Sequence, residues 1–182
     1  PLNVYARTKL DSEKVVQEAC PDALIIRTNF FGWGTPVRVS FSDWILAALE
    51  RRRELTMFSD AFFTPILINQ MVEMMMKLIQ MGATGVFHVA GGQRLTKHAF
   101  ALQIAEAFGY PTDRIRQISI EDFPFKAPRP KDMSLSSEKA EGYLQVRMPT
   151  VAEGLERLRS LRENGWQRAL EKAINEGSLS VI

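Results

Sequence analysis

The sequence is poor in the residues that build disulfide-linked and metal-binding proteins. It has one cysteine, Cys20, and two histidines, His88 and His98, in 182 residues. One cysteine excludes an intramolecular disulfide, and so few thiol and imidazole ligands give no spacing typical of a zinc site. We therefore expect no metal. With no signal peptide visible, a lone thiol favours a reducing cytoplasm as the location of the protein.

An excess of one charge and a long apolar run are also absent. The 23 Lys and Arg residues nearly balance the 21 Asp and Glu residues, so the formal net charge is +2. Proteins that bind nucleic acid or anionic membranes usually carry a basic excess. No apolar run approaches the roughly 18 residues that suggest a membrane-spanning helix. We expect neither nucleic acid nor a membrane as a partner.

What the sequence does contain is an alternation of helical and strand patterns. Runs rich in β-branched residues, Ala23–Thr28 and Gly85–Ala90, are typical of strands covered on both faces. A shorter strand is predicted from Glu54 to Phe58. The alternation predicts an α/β fold with parallel strand pairing. Three or four strands are few for a doubly wound sheet, which has about six, so we predict the back half of a Rossmann-like sheet with a small, mostly helical lobe.

Helix boundaries are indicated by capping residues. Asn3 and Thr96 stand where side-chain oxygens cap a helix, and Thr150-x-x-Glu153 is a capping box. Pro21 and Gly109 are typical stops. The predicted helices run from Asn3 to about Ala19, from about Ser42 to Arg53, from Asn69 to Met81, from Thr96 to Gly109 and from Thr150 onward.

The first helix carries a pair of residues suited to proton transfer. Tyr5 and Lys9 are one helical turn apart, so their side chains leave the same face. An ammonium group beside a phenol stabilises the phenolate, which makes the phenol a better proton donor to an alkoxide formed by hydride attack on a ketone. By itself the spacing is equally consistent with two neighbours on a solvent-facing helix.

Segments along the chain resemble the extended short-chain dehydrogenases, in the order that this family has them. Tyr5–Glu13 resembles the family's active-site helix, and Ile26–Asn29 resembles the strand end that meets the nicotinamide. Further similar segments are Asp60–Pro65, Gly85–Gly92 and the Arg-Pro loop, Ala127–Leu135. Together they cover roughly residues 1 to 160. The most similar subgroup is that of the dTDP-4-dehydrorhamnose reductases, which use NADPH to reduce a 4-keto sugar attached to a nucleotide diphosphate.

The resemblance implies roles for particular residues. Tyr5 and Lys9 would be catalytic, and both, with Thr28 and Asn29, would bind NADP or NAD. Asn29, Thr64 and Arg129 would bind the nucleotide sugar, whose diphosphate suits a guanidinium on a proline-stiffened loop. Arg129 has the alternative of bracing its loop through a carboxylate such as Asp132. No residue is assigned to a metal.

The resemblance also implies a division of the chain. Residues 1–30 and about 67–92 would be a remnant of the Rossmann-like core. Residues from about 31 to 66 and from 93 to 160 would form the substrate-binding lobe. Residues 161–182 would be a helical tail outside the resemblance.

Two features of the family are missing from the chain. It has neither the Gly-rich phosphate loop nor the Ser or Thr that completes the catalytic triad. The chain also begins at Pro1, directly in a helical pattern, so we expect a fragment of a longer protein that is inactive alone. Asn29-Phe30 replaces the subgroup's Ser-Trp, and Asn29 is more like the epimerases and dehydratases. An epimerase or dehydratase and a non-catalytic binding or regulatory subunit are therefore alternatives, and a homodimer is left open as the assembly.

Overall fold

The computed structural model describes residues 1–35 and 38–176 as an α/β protein of short strands and seven α-helices within those ranges. In chain order the elements are α1 Val4–Ala19, β1 Leu24–Arg27, β2 Phe30–Phe31, α2 Phe41–Glu50, β3 Leu55–Phe58, β4 Phe62–Phe63, β5 Ile66–Leu67, α3 Ile68–Gln80, β6 Gly85–His88, β7 Leu95–Thr96, α4 Lys97–Ala107, β8 Ile115–Ile118, α5 Glu138–Leu144, α6 Val151–Glu163 and α7 Trp166–Asn175. A 3₁₀ turn, Ile120–Asp122, follows β8. Part of the predicted helical tail, residues 177–182, lies outside the described residues.

The strands form pairs, three of which are parallel. β1 pairs with β6, β2 with β5 and β3 with β8 in parallel, whereas β4 pairs with β7 antiparallel. In the first pair Leu24 lies opposite Gly85 and Arg27 opposite His88. The predicted α/β class with parallel pairing is confirmed. The two-residue strands and β8 were not predicted, because such short segments are defined by partners distant in sequence.

The predicted caps form as the sequence indicates. Asn3 Oδ1 accepts a hydrogen bond from the amide of Ala6 at 2.9 Å, and Thr96 Oγ1 accepts one from Ala99 at 3.0 Å. Both halves of the Thr150–Glu153 capping box are present. The predicted helix to Arg53 is wrong at its end: α2 stops at Glu50, and Arg52 follows with a left-handed φ of 50°.

Two hydrophobic clusters hold these elements together. The larger joins α2, α4 and α6 around Phe100, whose ring lies 5.1 Å from that of Phe31 and 5.4 Å from that of Phe63. The smaller joins β6, α3 and α5 around Phe87 and Leu78. Burial of such side chains contributes about 1.5–3 kcal/mol each to folding. The two clusters therefore support the strands, and with them the loops that follow the strand ends.

The first strand, β1, and the helix before it, α1, are less buried than the sequence predicts. All four residues of β1 are only half-buried, and α1 buries none of its residues. The prediction that Ala23–Thr28 is covered on both faces is therefore wrong. Within the described ranges β1 pairs with β6 along one edge only, and no residue of α1 is buried. In residues 1–35 and 38–176, no helix is both long and apolar enough to cross a bilayer.

Candidate active site

Tyr5 and Lys9 lie together on the exposed side of α1. The Lys9 ammonium is 5.8 Å from the centre of the Tyr5 ring, as expected for residues one turn apart. The Tyr5 side chain is 69% exposed, so its hydroxyl is accessible. Within the described part of the chain, Lys9 makes no ion pair, which leaves its three donors available to a ligand.

Polar contacts at two points hold α1, the helix that carries Tyr5 and Lys9. Near its start, the Asn3 side-chain amide donates to the carbonyl oxygen of Pro128 at 2.9 Å. In its middle, Glu13 accepts two hydrogen bonds from the guanidinium of Arg27, at 2.8 and 2.6 Å. The Arg27 guanidinium lowers the pKa of Glu13. Because α1 buries no side chain, these contacts determine where Tyr5 and Lys9 point.

The Glu13–Arg27 pair is a contact that the sequence analysis did not predict. Its partners are 14 residues apart on different elements. The available signal was that Tyr5, Lys9 and Glu13 recur at fourfold spacing, which places Glu13 on the same helix face. Nothing in that spacing identifies Arg27 as the partner.

Thr28 and Asn29, predicted to bind the cofactor, follow β1 directly. The Thr28 Oγ1 atom is buried and has no hydrogen-bond partner in the structure. Buried hydroxyls are nearly always hydrogen-bonded in folded proteins. An unused donor and acceptor at a strand end is therefore a fitting contact for a bound cofactor. Asn29 is half-buried beside it, and its side-chain amide donates to the Thr28 carbonyl oxygen at 3.3 Å.

Asn29 and Thr64 are brought together by the fold. Asn29 Oδ1 accepts from both the amide and the hydroxyl of Thr64, each at 3.3 Å. Thr64 Oγ1 in turn accepts from the amide of Leu135 at 3.1 Å, and Thr64 is 4% exposed. The Thr64 side chain thus connects Asn29, after the end of β1, to Leu135, the last residue of the Arg-Pro loop. Its predicted contact with the sugar stays a prediction.

Arg129 lies on an exposed loop beside two phenylalanines. Its guanidinium carbon is 5.5 Å from the centre of the Phe125 ring. Together with Phe123, Phe125 and Lys131 it lines a cavity of about 280 Å³. Asp132, the carboxylate that could have braced it, pairs instead with Arg94 at 2.8 Å. Arg129 makes no ion pair within residues 1–35 and 38–176.

The acidic loop before Thr64 stabilises the other side of this cavity. Asp60 accepts hydrogen bonds from the amide of Ile120 and the hydroxyl of Ser119, both at 2.7 Å. The hydrogen bond from the Ile120 amide lowers the pKa of Asp60 the most, and the bond from the Ser119 hydroxyl lowers it further. Asp60 thus acts as a loop brace in this structure.

The fold therefore brings the predicted site residues together in separate groups. Tyr5 and Lys9 share a helix face, Asn29 contacts Thr64, and the Asn3–Pro128 bond places the start of α1 next to the loop of Arg129. In the described part of the chain, no hydrogen bond or ion pair joins the side chain of Tyr5 or Lys9 directly to that of Asn29, Thr64 or Arg129. Lys9 and Arg129 are cations without an ion-pair partner in the described part of the chain, and such cations are available to an anionic ligand.

Comparison with known proteins identifies the relatives of this chain. The family described as RmlD substrate binding domain matches residues 1–163. A probable low-salt glycan biosynthesis reductase, Agl14, of Haloferax volcanii is 30% identical over 158 residues, covering 85% of this chain and 53% of the relative. A dTDP-4-dehydrorhamnose reductase of Shigella flexneri is 27% identical over 170 residues, covering 87% and 56%.

A solved structure shows the same arrangement of elements. The dTDP-4-dehydrorhamnose reductase of Bacillus anthracis, in complex with NADP, superposes with a TM-score of 0.78 at 25% identity, covering 88% of this chain and 56% of that one. The chain thus spans about half the length of the curated relatives that it matches.

Proposed function

The chain belongs to the RmlD substrate-binding domain family, and from this we propose that the intact protein uses NADPH to reduce a 4-keto sugar attached to a nucleotide diphosphate. The observation that carries the proposal is the Tyr5–Lys9 pair on the accessible face of α1, in a chain matched by this family over residues 1–163. The relatives named as reductases support the same chemistry.

The proposed mechanism assigns the proton transfer to this chain. NADPH supplies the hydride that reduces the carbonyl carbon. Tyr5 gives its hydroxyl proton to the oxygen as negative charge develops there, and Lys9 stabilises the resulting phenolate. Lys9, Thr28 and Asn29 would hold the cofactor, and the unpartnered Thr28 hydroxyl is the observation that fits such a contact.

We assign substrate binding to the other two parts of the site. The Arg129 guanidinium would bind the diphosphate, for which two parallel N–H···O bonds are the favoured geometry. Asn29 and Thr64 would contact the sugar near the carbonyl. The one free cysteine, Cys20, is exposed, which suits the reducing cytoplasm that we propose as the location. Homodimerisation remains part of the proposal to be tested by the mass of the intact protein in solution.

Replacing Tyr5 by Phe in the intact protein tests the mechanism. The change removes one exposed hydroxyl and leaves the helix and its contacts in place. Positioned acid catalysis is worth about 10²–10⁴ in rate, so kcat and kcat/KM should fall together by that factor. The decrease in NADPH absorbance with dTDP-4-dehydrorhamnose measures both constants.

Tyr110→Phe is the matched control, because it removes a phenol that donates to Glu50 on the surface. It should leave kcat unchanged. A Tyr5→Phe variant that keeps most of its kcat would show that Tyr5 is not the acid. NAD that copurifies tightly, with no net NADPH consumption, would favour an epimerase or dehydratase instead. A folded protein that consumes no cofactor at all would favour the binding or regulatory subunit.

A further inference from the structure

A cavity of about 500 Å³, which Tyr5, Lys9 and Asn29 do not line, has walls made mainly of aromatic rings. Phe41 and Trp44 of α2 form one side, Phe58 of β3 the next, and Phe123 and Phe125 of the following loop the rim. The Phe41 and Trp44 rings are stacked, 6.0 Å apart, and the Phe123 and Phe125 rings are 4.6 Å apart. Flat apolar walls of this kind bind planar aromatic ligands.

Lys97 is the charged residue that lines this cavity. It is the first residue of α4, and its amide donates to the carbonyl oxygen of Ala61 at 3.1 Å, which fixes its backbone. Its ammonium nitrogen lies 3.2 Å from the centre of the Phe63 ring and 4.9 Å from that of Phe41. No acidic residue of the described chain is within ion-pair distance of it. The Lys97 amine therefore contacts the faces of two aromatic rings and no carboxylate in the described chain.

This environment distinguishes Lys97 from the other lysines. The remaining seven lysines are exposed, whereas Lys97 is half-buried. Burial lowers the pKa of Lys97 to about 8. The ring faces favour the ammonium form and partly oppose this effect. A larger fraction of Lys97 than of an exposed lysine, whose pKa is about 10.4, is still the neutral, nucleophilic amine at pH 8.

We propose that this cavity binds planar aromatic aldehydes and ketones, and that the Lys97 amine forms a reversible imine with them. The nitrogen lone pair attacks the carbonyl carbon, and the C=O π electrons move to oxygen, which takes up a proton. That proton comes from the amine nitrogen; the carbinolamine then loses its hydroxyl as water together with the one remaining N–H proton, and a neutral C=N bond remains. The step is redox-neutral, and hydrolysis reverses it. The inference goes beyond the proposed reduction and does not depend on it.

Reductive trapping on the intact protein tests the site. Benzaldehyde with cyanoborohydride at pH 8 converts each imine to a stable benzylamine, which peptide mass spectrometry assigns to individual lysines. We expect Lys97 to be labelled at least about tenfold faster than the exposed Lys77 of α3, because burial lowers the pKa of Lys97 and the aromatic cavity holds the benzaldehyde ring beside its amine. Propanal, an aldehyde without a ring, should show a clearly smaller preference for Lys97.

Variants distinguish the contribution of the Lys97 amine to labelling from that of the aromatic cavity. Lys97→Arg should abolish the fast labelling and leave that of Lys77 unchanged. Lys14→Arg, a control on the exposed surface of α1, should leave the fast labelling of Lys97 unchanged. Phe123→Ser removes a wall that is 47% exposed, so the fold should survive while the preference for benzaldehyde falls. Equal labelling of all lysines by benzaldehyde, or the same preference with propanal, would overturn the proposal.

Discussion

At the residue scale, Arg129 shows how the structure separates two interpretations that the sequence left open. A guanidinium on a proline-rich loop either binds a ligand or pairs with a nearby carboxylate. Asp132, the nearest candidate in sequence, is held by Arg94 and by the amide and hydroxyl of Ser134. Arg129 instead lies over Phe125 at the edge of a cavity. Asp132 is therefore not the brace of Arg129 in this structure, and binding of the nucleotide sugar by Arg129 stays a prediction.

We therefore predict that Arg129→Ala in the intact protein weakens binding of the nucleotide sugar. A hydrogen bond to a charged group is worth about 1.5–3 kcal/mol, which corresponds to a tenfold to hundredfold increase in Kd. Calorimetric titration with the substrate's nucleoside diphosphate measures it. Lys126→Ala, on the same loop, should change Kd much less. An unchanged Kd with a lower Tm would make Arg129 a structural residue.

Glu153 provides a pH-dependent test of stability. The Arg147 guanidinium, followed by the amide and hydroxyl of Thr150, lowers the pKa of Glu153 from 4.5 to about 2. Because the folded-state value is the lower one, the stabilisation is present above about pH 4.5 and is lost as the pH falls towards 2.

Glu153→Gln should therefore lower Tm at pH 7, and the difference from the unmodified protein should shrink between pH 4.5 and 2. Thermal unfolding followed by circular dichroism across this range measures it. Glu156→Gln changes an exposed carboxylate of the same helix without an ion pair in the described chain and should have a small effect throughout. A constant Tm difference down to pH 2 would contradict the assigned cause.

At the scale of elements, local sequence determines that α1 forms, whereas contacts with distant residues determine where it lies. Its cap at Asn3 and its end before Pro21 are local, so the sequence predicts the helix. Its position depends on Glu13–Arg27 and on Asn3–Pro128, because no side chain of α1 is buried. The element that carries Tyr5 and Lys9 is thus positioned by polar contacts.

Glu13→Gln should loosen α1 more than the rest of the molecule. The change replaces a charge-assisted pair with weaker neutral contacts, at a cost of about 1 kcal/mol or more. Hydrogen exchange should show faster exchange of α1 amides and little change in α4, which lies in the larger cluster. Glu18→Gln is the control on the same helix, since Glu18 is exposed and makes no ion pair in the described residues. Uniform loss of protection in α1 and α4 would contradict this prediction.

At the scale of the whole molecule, α1 and α3 both leave large apolar side chains exposed. Val15 and Val16 of α1 are 63% and 44% exposed, and Ile79 of α3 is 52% exposed. Of the methionines of α3, Met71, Met74 and Met75 are half-buried and Met76 is exposed. Since curated relatives are about twice as long, a protein of that length has further residues that can cover these side chains.

We predict that residues 1–182 alone do not bind NADPH tightly. The chain contributes Lys9, Thr28 and Asn29 but no Gly-rich turn at a helix start, which is the usual cradle of a pyrophosphate. Calorimetric titration of this polypeptide with NADPH should show no micromolar binding, whereas the intact protein should bind. Micromolar binding by the 182 residues would contradict the division of the cofactor site.

The sequence by itself determined the features that depend on neighbours along the chain. Caps at Asn3, Thr96 and Thr150 and the Tyr5–Lys9 spacing are local, since a helix fixes which residues share a face within one turn. The order of similar segments then indicated the family, which the comparison confirmed.

Only the tertiary structure decided the contacts between distant segments. Asn29 with Thr64, Glu13 with Arg27 and the aromatic cavity around Lys97 join residues from different elements. The short strands β2, β4, β5 and β7 likewise exist because a partner strand lies opposite. Hydrogen bonds, ion pairs and burial of this kind depend on distances in space, and the spacing of residues along the sequence does not fix those distances.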